Sequence, residues 1–300
     1  MLLYPHEDLL QGIDPRSHLI VMLRDKLKSF LASNMLMVKE ALCNTFNYTV
    51  CTEINGAILL DMFKLIIRGF VCKFKYVVDV GTGSGKFIRS LVNVCKNSSQ
   101  FIIGVDIDCE RLYKAKDPLN EYLVDLVCSD ASRSPFRNGS ADLVTMFLTL
   151  HEVEEDLVDS IILEARRVLK KDSLLLFIDK YLFKASKPSE EVSLMTEEAY
   201  HKAMEYAEGI KLWGLREPKE YVDKFTQHGF KVILKKDVRG KHIDGETFIK
   251  SWGRDTIRLA SAIGDESRRN EVMSLVNRIR ELGIKHGYGP VRLILLILKS

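Results

Sequence analysis

The residues with the clearest capacity for chemistry lie in the run Val77-Val78-Asp79-Val80-Gly81-Thr82-Gly83-Ser84-Gly85-Lys86. A β-branched stretch leads into three alternating glycines, and a helical pattern follows. Glycine permits positive φ and lets a ligand approach the backbone closely. The first turn of the following helix offers N–H groups that have no partner within it. Such a turn suits a nucleotide-like ligand, and the spacing narrows which one. A triphosphate loop reads G-x-x-x-x-G-K followed by Ser or Thr. Here Val80 stands in the first glycine's place and Phe87 follows the lysine. A nicotinamide dinucleotide turn reads G-x-G-x-x-G; this one reads G-x-G-x-G, with Asp79 two residues before it.

Two further acids follow in order. Asp106 ends the stretch Phe101-Ile102-Ile103-Gly104-Val105-Asp106, where a carboxylate can accept hydrogen bonds from both hydroxyls of a ribose. Asp130 lies in Cys128-Ser129-Asp130-Ala131, ahead of Ser134-Pro135-Phe136 and Gly139-Ser140-Ala141-Asp142-Leu143-Val144. Then come Leu150-His151-Glu152-Val153 and Glu164-Ala165-Arg166-Arg167-Val168-Leu169-Lys170. These segments, over residues 76 to about 180 and in this order, resemble the class I S-adenosylmethionine-dependent methyltransferases. The chain departs from that pattern at Lys171-Asp172-Ser173, where the family carries a Pro-Gly-Gly turn. The resemblance implies S-adenosylmethionine as cofactor and methyl transfer as activity. It also implies a cofactor site made of Asp79, Gly81, Thr82, Gly83, Gly85, Asp106, Ile107, Asp130, Ala131 and Phe147. Within that site, Asp130 would face the adenine amino group and the Ala131 N–H a ring nitrogen.

The elements that must position these residues alternate. Strands are expected at Tyr76–Val80, Phe101–Val105, Leu123–Cys128, Ala141–Phe147 and Ser173–Ile178. Helices are expected at Lys86–Cys95, Arg111–Lys116 and Glu155–Lys170. Alternation of this kind implies a parallel sheet with right-handed crossovers. The expected fold is α/β: a doubly wound, mostly parallel seven-stranded sheet with N-terminal helices and helical cap insertions. Residues 1–70 read as a helical segment and 71–300 as the methyltransferase domain, with insertions at about 182–215 and 245–287. The resemblance implies that Val291–Leu298 inserts antiparallel beside the fifth strand, and its apolar residues on both faces suit a buried strand. Phe230–Lys235, ending in Lys235-Lys236, suits the protected edge.

His151 follows the fourth strand, at the carboxyl edge where ligands bind in such sheets. It is the candidate general base, with packing or capping as the alternative. Trp213 and Trp252, in the two insertions, are candidates for an acceptor pocket or core anchors. The sequence lacks the Asn/Asp-Pro-Pro-aromatic motif after the fourth strand and a Pro-Cys pair, which argues against amino- and cytosine-methylating DNA enzymes. A small-molecule acceptor is the expectation that remains. Methylation of RNA or protein, or a non-catalytic cofactor-binding subunit, are the alternatives.

Composition sets broad limits. Net charge is +3, too small to argue for a nucleic-acid partner. The six cysteines form no C-x-x-C pair, so no metal site is expected; several read as small core residues, a usage that fits a reducing cytoplasm. The first residues lack a basic region before an apolar run, unlike a secretory leader. No stretch approaches the roughly eighteen apolar residues of a membrane helix. The expected setting is cytoplasmic and off the membrane, and the oligomeric state is not legible.

Overall fold

The structure is a computed structural model that describes residues 71–95 and 99–300. The helices expected in residues 1–70 lie outside the described residues, as do Cys43 and Cys51.

Strand β1 (Tyr76–Val80) is buried over its last four residues, three valines and Asp79. It continues through the glycine turn into α1 (Lys86–Val94), which buries Phe87, Ile88, Leu91 and Val92. Next come β2 (Phe101–Asp106), α2 (Cys109–Leu119), β3 (Val124–Cys128), β4 (Ala141–Phe147), α3 (Val158–Val168) and β5 (Leu169–Lys180). Then follow α4 (Pro188–Glu208), α5 (Pro218–Gln227), β6 (Lys231–Arg239), α6 (Gly245–Ser251), α7 (Arg254–Ala262), α8 (Glu266–His286) and β7 (Arg292–Lys299).

The seven strands form one sheet in the order β3-β2-β1-β4-β5-β7-β6. β1 to β5 pair in parallel. β7 is antiparallel to β5 on one side and to β6 on the other, so the expected insertion of the last strand is observed. Its run Ile294–Leu298 is fully buried, as a strand covered on both faces requires. Because β2 lies on one side of β1 and β4 on the other, the winding reverses there. A crevice opens at the carboxyl ends of these strands, the usual place for a ligand in open α/β sheets.

Local details differ from expectation. α2 begins at Cys109, two residues before the expected start, capped by the Asp108 carboxylate on the Arg111 N–H, and runs past the expected end at Lys116 with Pro118 in its last turn. The expected helix Glu155–Lys170 is a 3-10 turn at Glu155–Leu157, then α3, with β5 already begun at Leu169. Asp172 takes φ 63° there, a conformation Asp tolerates better than most side chains, and so fills the role of the family's glycine turn.

The insertions make a helical cap. α4 packs along α8 and against α7, and α6 packs on α8. Ala203, Leu259, Ala260, Ile263, Val272 and Val276 form one apolar cluster there, and Val192, Ala199, Phe248 and Ile279 another.

The cysteine reading is corrected. Cys72 is bonded to Cys95 and Cys109 to Cys128. Cys109 and Cys128 are exposed, not core. They come together because Cys128 pairs in register with Asp106, and α2 starts three residues after Asp106. Among the described residues, no helix is long and apolar enough to cross a membrane.

Candidate functional site

The glycine turn is built around Asp79. Its carboxylate is buried and accepts from the Thr145 hydroxyl at 2.7 Å and the Thr82 hydroxyl at 2.8 Å. Burial pushes this carboxyl up to about 7, against the opposing pull of the two hydroxyls. Thr82 in turn packs on Gly104 of β2, where a Cβ would lie 2.7 Å from its hydroxyl oxygen. Gly81 takes φ 74°, and a Cβ there would overlap Thr149, whose hydroxyl donates to the Val80 carbonyl at 3.0 Å. Close approach thus requires glycine at both positions.

Asp106 closes the turn from the next strand. Its carboxylate accepts from the Gly83 N–H at 2.6 Å and from the Asp108 N–H at 2.9 Å. Asp130 holds its loop by accepting from the Ser132 N–H at 2.7 Å and hydroxyl at 2.8 Å. A cavity of about 400 Å³ opens over these groups, within the usual range for ligand sites. Gly81, Asp106, Ile107, Asp130, Ala131 and Leu148 line it. Asp79, Thr82, Gly83, Gly85 and Phe147 stand behind that lining: Asp79 shapes the turn, and Phe147 stacks on Phe87 with ring centroids 4.9 Å apart. Leu148, at the end of β4, holds φ 54°. That is an uncommon conformation for a branched side chain, and it costs roughly 1–3 kcal/mol.

A second cavity, about 840 Å³, adjoins the first and shares Asp108, Arg111, Glu152, Tyr200 and Met204 with it. Cap helices roof it through Phe248, Trp252 and Leu259, while Lys180 and Glu197 contribute polar groups. Trp252 is therefore at a cavity. Trp213 is not: it is buried in the main core against Tyr221, ring centroids 5.0 Å apart, and lines neither cavity. The Trp213 N–H donates to the Val153 carbonyl at 2.7 Å, and the Gly214 N–H to that of His151 at 3.1 Å, so this segment props the loop after β4.

His151 is fully buried and also lines neither cavity. Its Nδ1 lies 2.5 Å from Asp179 Oδ1, close but off the line of a hydrogen bond. Its backbone N–H donates to Asp179 Oδ2 at 3.2 Å. Burial pulls the imidazole down, but Asp179 and then Glu197 outweigh burial and the opposing charge of Lys180, leaving it above its ordinary value. Between His151 and the larger cavity stand Glu152 and Glu197. Lys180 Nζ donates to Glu197 Oε1 at 2.7 Å. Burial raises the Glu197 carboxyl, and Lys180 and His151 more than reverse that, so the net direction is down.

Arg111, Glu152, Lys180 and Glu197 were not singled out as site residues by the sequence. Only Glu152 carried a local signal, through its position beside His151. Arg111 reads as an ordinary helix residue, yet a Cβ on Gly83 would lie 3.3 Å from its guanidinium.

The sequence profile of the methyltransferase domain family matches residues 78–177, from β1 through β5. These residues are a methyltransferase domain. The family is one of enzymes, and the seven-stranded order with its antiparallel last strand is the class I, Rossmann-like architecture. Among solved structures, the domain and its cap are similar to the cyclase SpnF: 17% identity, TM-score 0.50, 80% of each chain covered. The YcgJ protein of Bacillus subtilis is 19% identical over 78% of this chain and 97% of its own, with TM-score 0.49. A geranyl diphosphate methyltransferase in complex with S-adenosylmethionine is 12% identical, over 75% of this chain and 77% of its own, with TM-score 0.45. These likenesses concern fold. That one of them is named a cyclase illustrates why the methyltransferase domain's acceptor must be argued from its own cavities. No curated protein matches the chain in sequence.

Proposed function

We propose that the protein transfers a methyl group from S-adenosylmethionine to a small-molecule acceptor. The observation that carries this reading is the pair of adjoining cavities, one floored by the glycine turn with Asp106 and Asp130, the other roofed by the cap.

The smaller cavity fits the cofactor's chemistry. Asp106 offers carboxylate oxygens to the ribose hydroxyls. Asp130 and the Ala131 N–H suit the adenine edge, with exposed Ile107 beside them as an apolar surface. Arg111, against the glycine turn, supplies a positive charge for the amino-acid carboxylate. When bound, the cofactor supplies an electrophilic methyl group, so the hard chemistry is its own. The chain has to align the acceptor and exclude water. Alignment alone can lower a barrier by roughly 7–11 kcal/mol. The cap helices cover part of the larger cavity through Phe248, Trp252 and Leu259, and a cleft of about 840 Å³ is of the size that takes a small molecule.

Incubation with methyl-labelled cofactor and fractionated cell extract tests the proposal. Label is expected in a small-molecule fraction. Label confined to RNA or protein would contradict the acceptor class, and no incorporation from any fraction would favour a non-catalytic subunit.

A further inference from the structure

We propose that the acceptor is an amine, received as its ammonium between the carboxylates of Glu152 and Glu197. This rests on the larger cavity being the acceptor's. Both residues line that cavity, and Glu152 also lines the smaller one, so it stands where donor and acceptor meet.

Two carboxylates alone would not make a site. The second observation is the Nε2 atom of His151. It is fully buried, has no hydrogen-bond partner among the described residues, and lies 3.6 Å from Glu152 Oε1 and 3.7 Å from Glu197 Oε2. A buried ring nitrogen left unpaired is costly and calls for a missing partner. The Nε2 of His201 is likewise buried and without a hydrogen-bond partner among the described residues, 4.0 Å from the same Glu197 oxygen. Burial holds His201 down, to about 4, so it stays neutral.

The charges around this point define the ligand. Asp179, Glu152 and Glu197 face Lys180, and Lys180 is committed to the other oxygen of Glu197. With His151 neutral, two negative charges are left over; with it protonated, one. Between Glu152 and Glu197 a carboxylate or phosphate would meet repulsion, although the same cavity also carries Arg111, Lys114, Arg254 and Arg258. A hydroxyl brings one proton to a place where two carboxylate oxygens wait. An ammonium brings a positive charge and up to three donors. The wall above is aromatic: Phe248 stacks on Tyr288 at 5.0 Å and on Trp252 at 5.6 Å, and all three line the cavity. Aromatic faces attract cations.

The proton balance closes on the same residues. Methylation of an ammonium requires that one N–H bond break before the nitrogen lone pair can form the N–C bond. The methyl–sulfur bond breaks with its electron pair remaining on sulfur. The proton leaves through Glu152, which faces both the cavity and Nε2, and rests on His151, whose cation Asp179 stabilises. His151 is thus a positioning residue that acts through Glu152.

Titration with benzylamine, benzyl alcohol and benzoate tests the site, read by the fluorescence of Trp252, the only tryptophan lining the cavity. At neutral pH benzylamine is expected to bind at least tenfold more tightly than either analogue. Glu152→Gln, at a half-exposed residue, and separately Glu197→Gln are each expected to remove that preference. Equal binding of the alcohol or benzoate, no binding of benzylamine, or a preference that survives both substitutions would overturn the proposal. Each titration is run with and without S-adenosylhomocysteine. Failure of the homocysteine compound to bind contradicts the cofactor reading, while the amine preference is judged on its own.

Discussion

His151 and Asp179 form a fully buried pair at the carboxyl ends of the central strands, with Nδ1 2.5 Å from Oδ1. The same Asp179 carboxylate takes the backbone N–H groups of His151 and Lys180. One acid therefore lies charge-to-ring against the imidazole and holds the loop that carries it.

Asp179→Asn should remove the charge that holds the imidazole up, leaving burial to pull it down. The imidazole of His151 in the folded wild type lies above its unfolded value of 6.5. The stabilisation from this pair is accordingly full below pH 6.5 and fades as pH rises through the folded value. In Asp179→Asn that fading should vanish, and stability in acid should fall by roughly 3–5 kcal/mol, the scale for breaking a buried pair. Urea unfolding at several pH values and an NMR titration of the ring check both expectations. An unchanged titration would contradict the pairing.

Asp79→Asn is expected to stabilise the protein in mild alkali. The folded carboxyl titrates at about 7 against 3.8 when unfolded. Burial therefore costs nothing below pH 3.8 and progressively more up to about pH 7. Three units correspond to about 4 kcal/mol as an upper order of magnitude. Asn keeps an acceptor for one threonine and can donate to the other. Thermal unfolding at pH 8 and pH 4 should show a gain at the first that disappears at the second.

Reduction of Cys109–Cys128 should destabilise the side of the crevice formed by Ile107 and Asp130. The bridge closes a loop with a sequence separation of 19, for which the chain-entropy estimate is about 3 kcal/mol. Cys109→Ser with Cys128→Ser, compared with wild type under oxidising and reducing conditions, isolates this bridge from Cys72–Cys95. Wild type should lose more stability on reduction than the double variant.

The sheet was legible because its signals are local. Buried parallel strands such as Val77–Val80 and Leu143–Met146 read as short, mostly apolar runs broken only by Asp79 and Thr145, and the glycine spacing lies within one turn. The placement of Val291–Leu298 came from the resemblance to the family's strand pattern, and its apolar faces agreed with it. What was hidden is long-range. Glu197 reaches His151 from 46 residues away, by arithmetic on their positions, through a helix whose docking no periodicity specifies. Trp213 and Trp252 sit in equally apolar insertions, and only packing separates the core residue from the cavity residue. Cys109 and Cys128 carry no motif; strand register unites them.

Calorimetric titration with S-adenosylhomocysteine, on wild type and on Asp106→Ala, tests the central claim most directly. Wild type should bind it and S-adenosylmethionine, and neither NAD nor ATP at comparable affinity. Asp106→Ala should remain folded and bind more weakly by roughly 1.5–3 kcal/mol, the scale for hydrogen bonds to a charged group. Equal binding of NAD or ATP, or an unchanged dissociation constant in Asp106→Ala, would contradict the account.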